Sequence, residues 1–249
     1  MKNKEVADYL VNWLQEKVTK AGAKGIIFGN SGGIDSAVAG ILAKRAFPEN
    51  CLGLILPCHS SEEDVTHAKE LADNFDITSQ IIVLDNIYDI LCLELDKHLK
   101  YQNTNIELVK ANVKPRLRMI ALYYLAQNYN YLVMGTTNKS EMKVGYTTKH
   151  GDSGVDLQPL ADLVKYEIYD LARYLKVPAT IIDKPPSAGL WAGQTDEEEM
   201  GINYLELDTY IKTGQGDNRL VEIIENLAAK GNHKRSMAAA AIIPKSLLT

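Results

Sequence analysis

Residues 28–37 read FGNSGGIDSA, a combination whose residue types and spacing suit the handling of phosphates. Gly32 and Gly33 are adjacent, Ser31 and Ser36 flank them, and Asp35 stands directly before the second serine. Paired glycines let the backbone approach a ligand closely, and serine hydroxyls add donors. The block follows the apolar run Gly25-Ile26-Ile27-Phe28 and leads into Ala37-Val38-Ala39-Gly40-Ile41-Leu42-Ala43, which reads as a helix. A strand, a glycine turn and a helix together aim N–H groups at an anion. Asp35 would cap the helix, but a carboxylate beside bound phosphates repels them unless a cation bridges the two. Magnesium is the natural bridge, because it takes one or two carboxylates together with phosphate oxygens. The loop is not a Walker loop, since GxxxxGK(S/T) and its lysine are absent, and GxGxxG is absent too.

The elements that must hold this loop alternate along the chain. Val6, Leu10, Val11, Leu14 and Val18 recur at helical spacing and give an amphipathic first helix. Strands are predicted over Gly25–Gly29, Cys51–Leu56, Gln80–Leu84 and Tyr131–Thr136. Helices are predicted over Asp35–Ala46, Glu62–Asn74, Ile87–Leu99 and a long Ile106–Tyr129 that runs through Pro115. This β-α-β-α order with near-continuous apolar strands implies an α/β fold, a doubly wound parallel sheet with helices on both faces. Ligands sit beyond the carboxyl ends of strands in such sheets, where the glycine loop and Thr136-Thr137-Asn138 both fall. Further on, Lys165–Leu175 and Asn218–Lys230 are helical. Between them, Pro185 to Thr195 is rich in Pro and Gly, as a lid or binding loop would be. With no repeat or linker, residues 1–249 read as one domain.

Composition narrows the function class. Twenty-seven basic against 32 acidic residues leave a formal charge of −5, so no global basic field recruits nucleic acid. No apolar run approaches the roughly 20 residues of a membrane span, and Met1-Lys2-Asn3-Lys4-Glu5-Val6 lacks the apolar stretch of a signal peptide. Cys51, Cys58 and Cys92 are odd in number and lack CxxC spacing, which indicates neither a zinc site nor a disulfide framework. A cytoplasmic location is expected.

SGGIDS resembles the pyrophosphatase loop of the N-type ATP pyrophosphatases, which cleave ATP between its α- and β-phosphates. Five further blocks in the same order narrow the resemblance. Asn112-Val113-Lys114-Pro115-Arg116-Leu117-Arg118-Met119 is similar to the NxxxRxRM helix of NAD synthetases, and Gly135 to Glu141 to their GTxNxSE segment. Gly145 to Asp156 is similar to GYxTKxGDGGxD, and Pro186 to Glu197 with His233-Lys234-Arg235 matches the remainder. The chain therefore resembles the ammonia-dependent NAD synthetases over nearly its whole length, which implies the Rossmann-like fold of the adenine nucleotide alpha hydrolases. Asn30, where the family usually has an aliphatic residue, and Ser153, in place of a glycine, depart from the pattern without removing a charge.

By this resemblance Gly29, Asn30, Ser31, Gly32, Gly33, Ile34, Asp35 and Ser36 bind ATP, joined by Thr136, Lys165 and Ser187. Asp35 and Glu141 hold Mg2+, and with Lys165 they form the catalytic set. Arg116, Lys149, Asp156, His233 and Lys234 map onto contacts with deamido-NAD, whose pyrophosphate and carboxylate call for cations. Arg118 is read as structural, Asp152 as substrate-orienting or turn-forming, and His150 as a loop residue. Trp191 stacks on a base or packs a lid. The implied reaction activates the nicotinate carboxylate as an acyl adenylate, releases pyrophosphate, and lets ammonia expel AMP to give NAD. Glutamine-dependent relatives carry an added nitrilase-like domain, for which the roughly 25 residues ahead of the loop leave no room, so free ammonia is the expected donor. A homodimer is also implied, with the first helix and Ile106–Tyr129 as interface candidates. Two other readings remain: an amidating or tRNA-thiolating relative of the same superfamily, and a nucleotide-binding regulator without turnover.

Overall fold

The computed structural model describes residues 1–99, 105–187, 189, 191 and 193–248. Four parallel strands, β1 (Gly25–Gly29), β2 (Cys51–Ile55), β3 (Thr78–Ile81) and β4 (Tyr131–Met134), lie in the order β3-β2-β1-β4. The order reverses between β1 and β4, and a ligand crevice opens at such a reversal. In chain order the helices are α1 (Asn3–Lys20), α2 (Ile34–Ala46), α3 (Glu62–Asn74), α4 (Asp85–Asp96), α5 (Ile106–Ala111), α6 (Val113–Tyr129) and α7 (Lys139–Val144). They continue with α8 (Lys165–Leu175), α9 (Ala179–Ile182), α10 (Asp196–Met200), α11 (Tyr204–Thr213), α12 (Asn218–Lys230) and α13 (Asn232–Arg235).

Side-chain alternation along β1 divides the core. Ile26 and Phe28 point into a cluster built with α1, α2, α3 and α8, whereas Ile27 joins Leu52, Leu54 and Val133 against Leu117, Leu122 and Ala126 of α6. The sheet is thus covered on both faces, as its apolar strands require. A third cluster, with Val144, Met200, Ile202, Tyr204, Leu207 and Ile224 at its centre, ties α7 to α10, α11 and α12.

Three elements differ from the sequence reading by more than a shift at one end, whereas β2, β4 and α2 differ by one or two residues at one end. The single helix over Ile106–Tyr129 is two helices that meet at Asn112. Pro115 has no N–H to offer Ala111 and its ring crowds that carbonyl, so the helix restarts and Pro115 falls in the first turn of α6, where no donor is needed. The third strand is Thr78–Ile81 and not Gln80–Leu84, because Leu52 to Ile55 register against Thr78 to Ile81. It is the sheet edge, and all of its residues are exposed, so burial left no apolar mark there. Helix α4 covers Asp85–Asp96, two residues earlier than Ile87–Leu99 at its start. By contrast, α3, α8 and α12 begin and end where the sequence pattern places them.

Candidate active site

The glycine loop leaves the end of β1 and is braced from the side. Asn30, buried, donates from Nδ2 to the Ala68 carbonyl of α3 at 2.7 Å and accepts the Gly32 N–H at 3.4 Å. Gly32 has φ +75°, and a Cβ there would lie 2.3 Å from the Asp64 carbonyl oxygen, so only glycine fits. The departure at Asn30 is therefore a brace between loop and α3. Ser36 Oγ donates to the Gly33 carbonyl at 2.8 Å and accepts the Ser31 hydroxyl at 3.0 Å, which rounds the turn. Gly33 is the N-cap of α2 and supplies no side-chain acceptor, leaving the first-turn N–H groups facing outward for an anion.

Asp35, in the first turn of α2, meets two other strand-end elements. Lys165, the first residue of α8, donates from Nζ to Asp35 Oδ2 at 2.6 Å and lies 3.8 Å from Glu141 Oε1. Asn138 caps α7 and touches both carboxylates: its Nδ2 donates to Asp35 Oδ1 at 2.9 Å, and its backbone N–H to Glu141 Oε2 at 3.1 Å. The Lys165 side chain is 3 % exposed, those of Asp35 and Glu141 17 % and 16 %. Burial, reinforced by Asp35, pushes Glu141 well above the usual carboxylate range. Burial alone would lower Lys165, but Asp35 and Glu141 outweigh it and hold the ammonium charged. Two convergent carboxylates with one ammonium between them form a donor set that suits a magnesium ion shared with phosphate oxygens. Among the described residues no group of three or more His, Cys, Asp or Glu side chains gathers for a metal, so the remaining ligands would come from the nucleotide and water.

Thr136 follows β4 on the same crevice, where Gly135 donates to the Leu157 carbonyl at 2.8 Å. Ser187 is exposed in the segment after α9, and its Oγ accepts the Gly189 N–H at 3.1 Å. The base of this segment is pinned: Asp196 N–H donates to the Pro186 carbonyl at 3.1 Å, and Lys184 pairs with Asp64. Trp191 is exposed.

The second group of expected residues is brought together more loosely. Arg116 Nε donates to the Lys149 carbonyl at 3.2 Å, and Lys149 Nζ to the His233 carbonyl at 2.7 Å. Lys234 Nζ donates to the carbonyls of Gly145 and Thr147 at 2.9 and 2.8 Å, closing the C-terminal end of α7. A cavity of about 150 Å³ opens beside it, lined in part by Thr137, Thr147, Ser153, Gln158 and Arg235. Asp156 stands apart from these cations. Its carboxylate accepts the Val133 N–H at 2.8 Å and the Tyr123 hydroxyl at 2.9 Å, clasping β4 to α6. Arg118 donates to the Leu56 carbonyl and to Ser60 Oγ, Asp152 accepts the Thr148 N–H in a tight turn, and Ser153 donates to the Thr148 carbonyl.

Sequence reasoning missed Asn138 as a site residue, although Asn138-x-x-Glu141 has the spacing of a capping box. It also missed Tyr204 and Asp208 of α11, which no motif marks.

Comparison with known proteins matches this geometry to one family. A family model described as NAD synthase covers residues 6–238. The NH(3)-dependent NAD(+) synthetase of Syntrophomonas wolfei is 52 % identical over 99 % of both chains. Among solved structures, NMN synthetase from Francisella tularensis superposes with a TM-score of 0.92 at 38 % identity, covering 98 % of this chain and all (100 %) of that one. The NH3-dependent NAD synthetase from Campylobacter jejuni, in complex with the nitrate ion, gives 0.80 at 29 % identity over 97 % and 100 % of the two chains.

Proposed function

The chain belongs to the NAD synthase family, and on that premise we propose that it is a ligase that amidates deamido-NAD with ammonia, driven by ATP. The observation that carries this reading is the meeting of Asp35, Asn138, Glu141 and Lys165 at the mouth of a glycine loop on a strand end. Such a site can cradle a triphosphate with loop N–H groups and neutralise a departing pyrophosphate, and neither task calls for a protein nucleophile. That is what carboxylate activation by adenylyl transfer needs, because the substrate's own carboxylate attacks the α-phosphate. Asp35 and Glu141 would hold magnesium, which when bound supplies Lewis-acid stabilisation of phosphate oxygens. Lys165 would follow the charge that develops on pyrophosphate, an electrostatic contribution that is usually the largest in such reactions. Thr136 and Ser187 would offer their hydroxyls to the nucleotide. Arg116, Lys149 and Lys234 would supply cations to the second substrate, with His233 beside them, while Asp156 braces the strand end behind. Ammonia then attacks the acyl adenylate and AMP leaves.

Similarity to the Francisella enzyme favours a second reading of the substrate's length, in which the mononucleotide form of the nicotinate is amidated. One assay tests both readings: Mg2+, ATP and ammonium are supplied with either deamido-NAD or nicotinate mononucleotide, and the amide is quantified by mass spectrometry. Turnover of neither would refute the function, and the ratio of kcat/KM values decides the length.

A homodimer is part of this proposal. The apolar stripe of α1 is buried inside the protomer against α2 and α8, so only its outer face, with Tyr9 exposed, is left for a partner. Helices α4 and α6 expose the apolar residues Ile87, Ile90, Leu93, Ile120 and Tyr124, which a symmetric partner would cover. No helix among the described residues is long and apolar enough to cross a membrane. Three buried, unpaired cysteines support a reducing, cytoplasmic setting.

A further inference from the structure

Helix α11 belongs to none of the motifs, yet it grips the catalytic ammonium from behind. Tyr204, Asp208 and Lys212 are spaced four apart and form one stripe of that helix. Each of them reaches the first turn of α8. The Tyr204 ring lies 5.0 Å from Lys165 Nζ, Asp208 Oδ2 accepts the Tyr166 N–H at 2.8 Å, and Lys212 pairs with Glu167 at 2.6 Å. Asp208 does more than cap α8. Its Oδ1 accepts the Ser140 hydroxyl at 2.5 Å, and the Ser140 oxygen in turn accepts the Lys165 N–H at 3.1 Å. Ser140 is the residue directly before Glu141. One carboxylate, 1 % exposed, thereby fixes the two elements that carry Lys165 and Glu141.

We infer that Asp208 is a positioning residue for adenylation, acting through Ser140 and the Tyr166 amide to hold Lys165 and Glu141 against Asp35. Its negative charge also sits at the N-terminal end of α8, where the helix dipole favours it. Without Asp208, the buried Ser140 hydroxyl and the partly buried Tyr166 N–H lose their partner, and the first turn of α8 is free to shift. Asp208 touches no reacting atom, so its loss should slow the step that needs Lys165 and leave the recognition of deamido-NAD and ammonium in place.

This inference rests on the adenylation reading above, and the test separates the two. The full-length protein and its Asp208→Ala, Asp208→Asn and Ser140→Ala variants are assayed for deamido-NAD-dependent exchange of labelled pyrophosphate into ATP, with KM values for deamido-NAD and ammonium measured in the complete reaction. Folding is checked by circular dichroism and rates are given per folded molecule. Partners one shell away from catalytic groups commonly carry about 10- to 100-fold in activity. We expect exchange to fall by that factor in Asp208→Ala, with both KM values within about twofold of wild type. Asn keeps one acceptor for the Tyr166 N–H, so Asp208→Asn should recover part of the loss. Ser140→Ala removes only the bridging hydroxyl and should lower exchange less, without emptying the position of Asp208. Wild-type exchange rates in folded Ser140→Ala and Asp208→Asn would overturn the positioning role. An absence of exchange in the wild-type protein with either nicotinate nucleotide would instead overturn the functional reading.

Discussion

The two halves of the site are built differently. On the proposed ATP side, Asp35 meets Asn138 and Lys165 side chain to side chain, Glu141 lies 3.8 Å from Lys165 and accepts the Asn138 backbone N–H, and these largely buried groups come from three elements that meet at strand ends. On the other side, Arg116, Lys149 and Lys234 donate to backbone carbonyls and are joined by loops. A buried charge cluster is worth assembling only if it is complete before substrate arrives, because each member left alone would bear an uncompensated desolvation penalty. Cations near the surface bear a smaller one and can exchange a carbonyl for a substrate oxyanion. Under the proposed assignment, the catalytic cluster is assembled before substrate arrives, while recognition of the second substrate is completed by that substrate.

The largest effect expected from this contrast is at Lys165. Lys165→Ala and Asp35→Asn should each lower kcat about a hundredfold or more while the circular dichroism spectrum is retained. A rate within a few-fold of wild type at saturating Mg2+ would remove that residue from the chemistry. On the other side the effect should be smaller and of another kind. Arg116→Ala and Lys149→Ala should raise KM for deamido-NAD by about tenfold, the magnitude of one charge-assisted hydrogen bond, with kcat nearly held. A fall in kcat at unchanged KM would erase the distinction between the two halves.

The smallest effect sharpens the comparison through pH. Burial raises the pKa of Glu141 in the folded protein, so folding favours its protonated form. That contribution is fully present below the ordinary carboxylate pKa and is lost as pH rises through the raised value. In the absence of divalent cations, Glu141→Gln should therefore raise Tm at pH 8 by about 2–4 °C for each kcal/mol relieved, and should change it little at pH 4.5. Calorimetry at the two pH values, with chelator, measures this. A lower Tm at both would mean that the carboxylate is stabilising where it stands.

Local signals in the sequence reached far, and their limits are physical. The glycine loop, α3, α8 and α12 carry their own punctuation, in glycine pairs, caps and apolar periodicity, so short windows suffice to place them. The break at Asn112 was legible in Pro115, but the apolar residues on both sides concealed it. The edge strand β3 lies in the open and bears no burial pattern. In the site, most of the residues that lie within motifs were legible, and Asn138, Tyr204 and Asp208, which matter through distant contacts, were not. Asn138 matters because it meets Asp35 from 103 residues away, and Asp208 because it meets Ser140 across 68. Contacts of that range leave no trace in local spacing. At Asp156 motif register suggests a ligand contact, and the fold adds what spacing could not show, a carboxylate that holds β4 and α6 together.

The central claim is that the buried cluster beside the glycine loop splits ATP between its α- and β-phosphates to activate a nicotinate carboxylate. Phosphorus-31 NMR of the protein with Mg2+, ATP, ammonium and deamido-NAD tests it most directly. AMP and pyrophosphate should appear in equal amounts, in step with NAD and only when deamido-NAD is present. Growth of ADP and inorganic phosphate in their place would contradict the account.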